Sequence, residues 1–417
     1  MSLIIKNISL LLENDLEFIN NGYIVIGKDG LISHAGQGDF RNTNKHDKVF
    51  DGEGLLACPG FVNAHTHIGD SIGKDIAIDI DLDLDQMIHP LHGLKKKILD
   101  NSDRDHLIAF IKSSVRSMLK RGIVAFADFR EGGLEGIEQL RDAISGLSIK
   151  ATVLGRPEFY QDISKDFVKN PKLPQDVIDL VSKIANKSDG LGISGANENT
   201  DNSLNEYGKL IRKNSLKKKF LIGIHAAESI ETTKKSIDIT GKTEVQRIVS
   251  KLLPNFIVHL THASDNDIGL VARKQIGIVV CPRANGTLGV GIPRIAKMLS
   301  SGCCVGIGTD NIMINSPDMF RELDYVWKLS RTLADQPIPA REILKMATVN
   351  GAKILHINSG AIMTGKSADI LFIDKNNLDI SPMHDPHVSV IHRANANSIL
   401  NVMINGKFID GDEFGCM

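Results

Sequence analysis

Between residues 58 and 364, short apolar runs alternate with stretches of helical periodicity. The runs are PGFVNAHTH (59–67), GIVAFADF (122–129), IKATVLG (149–155), GLGISGA (190–196), FLIGIHAAE (220–228), FIVHLTHA (256–263), IGIVVCP (276–282) and CCVGIGTDN (303–311). Between them lie helical stretches such as DHLIAFIKSSVRSMLKR (105–121), TEVQRIVSKLL (243–253) and PRIAKMLSSG (293–302). Strands that alternate with helices belong to a parallel sheet. Eight such units in about 300 residues fit a (β/α)8 TIM barrel. The two ends read differently. LIIKNISLLL, GYIVIG and GLISHAG at the start, and ADILFID and NSILNVMINGKFID at the finish, are strands separated by turn residues. Asn405-Gly406 suits a type I′ hairpin, because both turn positions need positive φ. The expected organisation is an α/β chain with a barrel over 58–364 and one small sheet domain built by both termini, 1–57 plus 365–417.

Composition supports this reading. Hydrophobic residues make up 42% of the 417, with one Trp and four Tyr, so the core is aliphatic, as buried parallel strands require. Lys and Arg number 49 against 50 Asp and Glu. A net charge of -1 leaves no electrostatic footprint for nucleic acid or an anionic membrane. No apolar run reaches the roughly 18 residues of a membrane span, and the N-terminus lacks the pattern of a secretory signal. A cytoplasmic protein is expected. The cysteines at 58, 281, 303, 304 and 416 are odd in number and follow no ligand or disulfide spacing, which predicts free thiols.

The polar residues inside the apolar runs carry the chemistry. A strand buried on both faces should be almost wholly apolar. Here His65 and His67, His225 and Glu228, His259 and His262, and Asp310 sit at the C-terminal ends of the runs. Barrel enzymes place their active sites at that face. His65 and His67 are two apart on a strand, so both side chains leave the same face. Neutral imidazole and carboxylate suit one divalent cation, Zn2+ first, with Fe2+ served by the same donors.

These motifs resemble the amidohydrolase superfamily. The resemblance rests on Pro59-Gly60-Phe61-Val62-Asn63-Ala64-His65-Thr66-His67, His225-Ala226-Ala227-Glu228, His259, Cys281-Pro282-Arg283-Ala284-Asn285, Gly308-Thr309-Asp310, Gly365-Lys366-Ser367-Ala368-Asp369-Ile370 and Asn405-Gly406. The branch it resembles holds the cytosine, guanine and S-adenosylhomocysteine deaminases and the chlorotriazine hydrolases. It implies a (β/α)8 barrel with a small β-sandwich built from both termini, and His65, His67, His225 and Asp310 as metal ligands. It implies Asp310 as acceptor of a proton from the attacking water, His259 as a contact to that water or the oxyanion, and Glu228 as the acid that protonates a ring nitrogen. Binuclear members bridge two metals with a carboxylated Lys on the fourth strand. The matching run, GLGISGANENTD (190–201), has no Lys, so a single metal is expected. His-x-Glu and Pro-Cys-x-x-Cys, the marks of another zinc-deaminase class, are absent.

The expected function is deamination of a small aminated heterocycle, a purine, pyrimidine or nucleoside, by metal-activated water. The competing readings are hydrolysis of a cyclic amide or amidine, removal of a ring substituent other than ammonia, and a metal-free scaffold. Arg130, Arg156 and Arg283 are candidates for a clamp on a carboxylate or phosphate. Asn197 and Glu198 are candidates to face the pocket, as is the charged trio Asp128, Arg130 and Glu131. Asp79, Asp81, Asp83 and Asp85 alternate as a solvated strand or as a lid over a cationic group. His262 reads as structural. The expected partner is the small-molecule substrate, with homo-oligomerisation left open.

Overall fold

The computed structural model describes residues 2–41, 45–76, 84–215, 220–333, 336–409 and 413. Asp79, Asp81 and Asp83 and Cys416 lie outside them; Asp85 lies inside. The first strands are β1 (Leu3–Leu12), β2 (Glu17–Ile26), β3 (Ile32–Gln37), β4 (Lys48–Asp51) and β5 (Leu55–Pro59). Gly60 then joins β5 to the barrel.

The barrel is built from β6 (Phe61–His67), β7 (Ile123–Arg130), β8 (Lys150–Gly155), β9 (Gly190–Gly195), β10 (Leu221–Ala226), β11 (Phe256–His259), β12 (Gly277–Val280), β13 (Val305–Ile307) and β14 (Asp310–Asn311). All pair in parallel, in the order β13-β12-β11-β10-β9-β8-β7-β6-β14. Each of the eight apolar runs contributes. The last run is split so that it touches both neighbours. Gly308 N–H donates to Val280 on one side, and Thr309 N–H donates to His65 on the other. The sheet therefore closes. Gly308 is obligatory there, because a Cβ would lie 2.6 Å from that of His65. Asn63 locks the seam, its amide donating to Thr309 Oγ1 at 2.7 Å and accepting Thr309 N–H at 3.0 Å.

Every position of β6, β7, β11, β12 and β13 is buried. Phe129 fills the middle of the barrel, and neighbouring strands make room for it. A Cβ at Gly192 or Gly223 would come within 2.7 or 2.4 Å of its ring. That ring stands 4.5 Å from the ring of His65 and 4.9 Å from that of His225, so it forms the floor beneath the polar residues.

The ends of the chain share one eight-stranded sheet. The late strands β15 (Ile370–Asp374), β16 (Ile399–Ile404) and β17 (Lys407–Phe408) join the early ones in the order β17-β16-β15-β5-β1-β2-β3, with β4 on β1. Ile5, Ile8, Leu10, Ile24, Ile370, Phe372 and Met403 give that sheet a core of its own. Among the described residues no helix is long and apolar enough to cross a membrane.

Candidate metal centre and active site

β6, β10 and the β13–β14 seam bring His65, His67, His225 and Asp310 together at the C-terminal mouth. His225 Nε2 lies 3.3 Å from the Nε2 of both His65 and His67. Asp310 Oδ1 lies 3.2 Å from His65 Nε2 and 3.6 Å from His67 Nε2. His65 and Asp310 are fully buried, His67 nearly so. Asp310 itself sits at φ 62° and His259 at φ 73°, left-handed conformations rare for such residues and concentrated at functional sites.

The protonation pattern explains why this cluster suits a cation. His225 Nδ1 donates to Ser194 O at 2.7 Å, and His67 Nδ1 donates to Glu131 Oε1 at 2.7 Å. Each bond uses the ring proton and leaves Nε2 as a bare lone pair. Burial holds all three imidazoles below their ordinary range, His67 down to about 3 with help from Lys95. Burial opposes ionisation of Asp310, yet His65 and the other imidazoles keep its carboxyl below the usual range. Lone pairs and a carboxylate thus face one another with too few protons between them. Ligands about 2.0–2.1 Å from a tetrahedral zinc stand roughly 3.3–3.4 Å apart, the spacing found among these nitrogens. His65, His67 and Asp310 form one triad able to hold a metal; His259 and Cys281 also approach Asp310.

A second layer fixes these groups. Glu131 accepts from Lys95 Nζ at 2.5 Å, and Lys95 also lies 3.7 Å from Asp70. Burial opposes ionisation of Glu131, but Lys95 and His67 hold it well below its normal value. Asp70 accepts from Asn311 Nδ2 at 2.7 Å and Met313 N–H at 3.0 Å, tying β14 to the turn after β6. Asp128 accepts Ile68 N–H at 2.6 Å and Thr66 Oγ1–H at 2.9 Å. Carboxylate–histidine backing of this kind is general at metal sites.

A cavity of about 360 Å³ opens above the cluster, lined by His67, His225, His259, Asp310, Glu228, Asn197, Glu198, Arg156 and Lys95 among others. Glu228 Oε2 lies 3.5 Å from His259 Nε2, while Oε1 has no hydrogen-bond partner among the described residues. Burial, Asp310 and Glu198 raise the Glu228 carboxyl above its usual range. His259 Nδ1 is fixed on Asn285 Oδ1 at 3.1 Å.

The expected arginine clamp does not form. Arg156 lines the cavity, but Arg130 is turned away, donating to Gly136 O and Gln139 Oε1. Arg283 is taken by the buried Glu322 at 3.2 Å and by Ser316 O. The guanidinium groups of Arg130 and Arg283 are thus held by neighbours outside the cavity. Asp128 and Glu131 likewise support the turn and His67 from behind. His262 donates to Val290 O at 2.6 Å, a structural role. Cys58, Cys281, Cys303 and Cys304 are free thiols. Sequence reasoning missed Lys95, Asp70 and Glu244, of which Lys95 and Glu244 line the cavity.

The profile of the Amidohydrolase family matches residues 56–409, most of the chain. The chain belongs to the amidohydrolase family. An amidohydrolase is a hydrolase acting on C–N bonds. A protein of Methanothermobacter thermautotrophicus, provisionally named an aminohydrolase, is 36% identical over 361 residues, 86% of this chain and 88% of that protein. The 5-methylthioadenosine/S-adenosylhomocysteine deaminase of Thermoanaerobacter pseudethanolicus is 28% identical over 426 residues, 98% of this chain and 94% of its own length. In three dimensions the amidohydrolase fold is shared with an adenosine deaminase from Xanthomonas campestris solved with bound zinc. Its TM-score is 0.83 at 19% identity, covering 97% of this chain and 92% of that one.

Proposed function

We propose that this amidohydrolase binds one divalent metal through His65, His67, His225 and Asp310 and deaminates a small aminated heterocycle of purine, pyrimidine or nucleoside type. One observation carries the reading: the Nε2 atoms of three imidazoles, two of them stripped of their ring proton by Nδ1 hydrogen bonds, and a carboxylate lie each within 3.6 Å of another of the set, beside a carboxyl whose outer oxygen has no partner among the described residues. Zinc is the expected ion. When bound, it supplies the Lewis acidity that brings a water's pKa from about 15.7 toward 7.

The chain's own residues do the rest. Asp310 Oδ2 has no partner among the described residues and takes the proton of the attacking water. Glu228, kept protonated by burial, gives its proton from Oε1 to the ring nitrogen as the carbon becomes tetrahedral. His259, steadied by Asn285, faces the oxygen that becomes the new carbonyl. Asn197 and Arg156 contact the substrate beyond the reacting ring. We further propose the division into a barrel over 58–364 and a β-sandwich of 1–57 plus 365–417, and a cytoplasmic location.

Ammonia release from adenosine, 5′-deoxyadenosine, guanine and cytosine tests this on zinc-loaded protein. Glu228→Gln should lower kcat by about 10²–10⁴-fold with metal content unchanged. Because Glu228 must be protonated, kcat/KM should fall as pH rises through its elevated value. Turnover of a lactam, with no ammonia from any aminated ring, would overturn the deaminase reading.

A further inference from the structure

The catalytic cavity is electrostatically lopsided. Three cationic side chains line it, Lys95, Arg156 and Lys235, and each already faces a carboxylate outside the lining. Lys95 is on Glu131 at 2.5 Å, Lys235 is 3.4 Å from Asp162, and Arg156 is 3.8 Å from Glu131. The β9–β10 flank is the reverse. Glu198, Glu228 and Glu244 line the cavity there, and none has a Lys or Arg partner within salt-bridge distance among the described residues. Among the described residues only Glu228 of the three has a basic group within that distance, His259, and the mechanism already uses that pair; Lys235 and Arg156 act on Glu198 from farther off.

The flank is also rigid. Arg247, fully buried, donates to Ala196 O, Asn199 O and Asp201 Oδ1 at 2.8–2.9 Å, and so clamps the 196–201 segment from behind. Gln161 N–H donates to Glu198 O and Ile163 N–H to Asn197 O. Asn197, 3% exposed, donates from Nδ2 to Thr232 O at 2.8 Å, which leaves Oδ1 as a fixed acceptor without a partner among the described residues. Glu244 opens the helix Glu244–Lys251 and is 4% exposed. Its Oε2 accepts Ala227 N–H at 3.0 Å, and the Thr232 hydroxyl also bonds its carboxyl, but no cationic side chain lies within salt-bridge distance of it among the described residues.

We propose that Asn197, Glu198 and Glu244 form a subsite for a positively charged group, so that the substrate is an aminated heterocycle bearing an ammonium or amidinium on its non-reacting part. This rests on the deaminase reading above. A neutral substrate would leave Glu244, which is buried, and Glu198, which is half-buried, without a cationic partner, whereas a cation favours the ionised form of both and meets the orphan amide oxygen as well. Consistent with a missing cation, burial and then the crowding of Glu198 and Glu228 push Glu244 up to about 8.

The test compares adenosine, 5′-amino-5′-deoxyadenosine and adenosine-5′-carboxylate, by calorimetric Kd and by ammonia release, on zinc-loaded protein. The amine should bind about tenfold or more tighter than adenosine, a charge-assisted hydrogen bond's worth, and the carboxylate weakest. Glu198→Gln and Glu244→Gln should each erode that preference. Asn197→Asp, which adds a carboxylate, should widen it, and this guards against a Gln variant that fails to fold. Equal affinity for the three compounds, binding of none, or a preference untouched by all three substitutions overturns the subsite. Ammonia release without any preference sinks the subsite and leaves the deaminase. Preferential binding of the amine without ammonia release sinks the deaminase and leaves the subsite.

Discussion

His67 and His225 present the same atom to the same centre, but they are held by different means. His67 leans on a carboxylate, Glu131, which is itself neutralised by Lys95. His225 leans on a main-chain oxygen, that of Ser194. An anion behind an imidazole raises its basicity and strengthens the ligand it offers; a carbonyl dipole orients the ring with less charge. The first support is made of side chains, so one substitution can remove it. The second belongs to the strand end and is lost only if β9 moves. The centre is thus backed by an adjustable charge on one flank and by fixed backbone on the other.

The coarsest way to break the comparison is to remove a proposed ligand of the centre that both rings serve. Asp310→Asn should abolish tight metal retention after dialysis and lower kcat/KM by at least about 10²–10⁴-fold from the lost proton acceptor alone. Lys95→Met comes next. It leaves Glu131 ionised and buried beside His67, and should cost about 3–5 kcal/mol in chemical unfolding of the metal-free protein. Glu131→Gln sharpens the contrast between the flanks. Metal affinity, read in a metal-buffered titration, should fall about 10–100-fold. Ser194→Ala keeps the carbonyl that holds His225 and should leave affinity at the wild-type level. Equal losses in the two variants would erase the distinction.

The smallest effect is one of pH. Glu244 hangs on Ala227, two residues beyond His225, and its carboxyl rises from 4.5 to about 8 on folding. A raised carboxyl favours the folded state while it is protonated. Its contribution is therefore full below the unfolded value of 4.5 and is lost as pH climbs through about 8. Unfolding of the metal-free protein across that window should show a slope that Glu244→Gln flattens.

The barrel was legible because its strands are buried on both faces and so write continuous apolar runs. The four proposed ligands were legible for the same reason, since a histidine or aspartate interrupting such a run stands out against its neighbours. Lys95 and Glu244 escaped notice because each lies at the start of a helix, where a charged residue is ordinary, and only the packing shows that it is buried. The arginine clamp failed on the opposite count. A strand-end arginine looks free in a sequence, and whether it faces the cavity depends on partners distant in the chain, as Glu322 is from Arg283.

The split strand at Gly308 has a consequence for assembly. Asp310 pairs with Thr66 and Asn311 with His67, so the barrel zips shut where the proposed metal donors meet: they come from its first, fifth and last strands.

 A chain folded only as far as β10 would own three of the four donors and no closed ring. On the proposed ligand set the full grip on an ion therefore waits until β14 has closed on β6, and full-strength metal loading would report finished folding. An unlabelled pulse of Co2+ during refolding would time that last stitch.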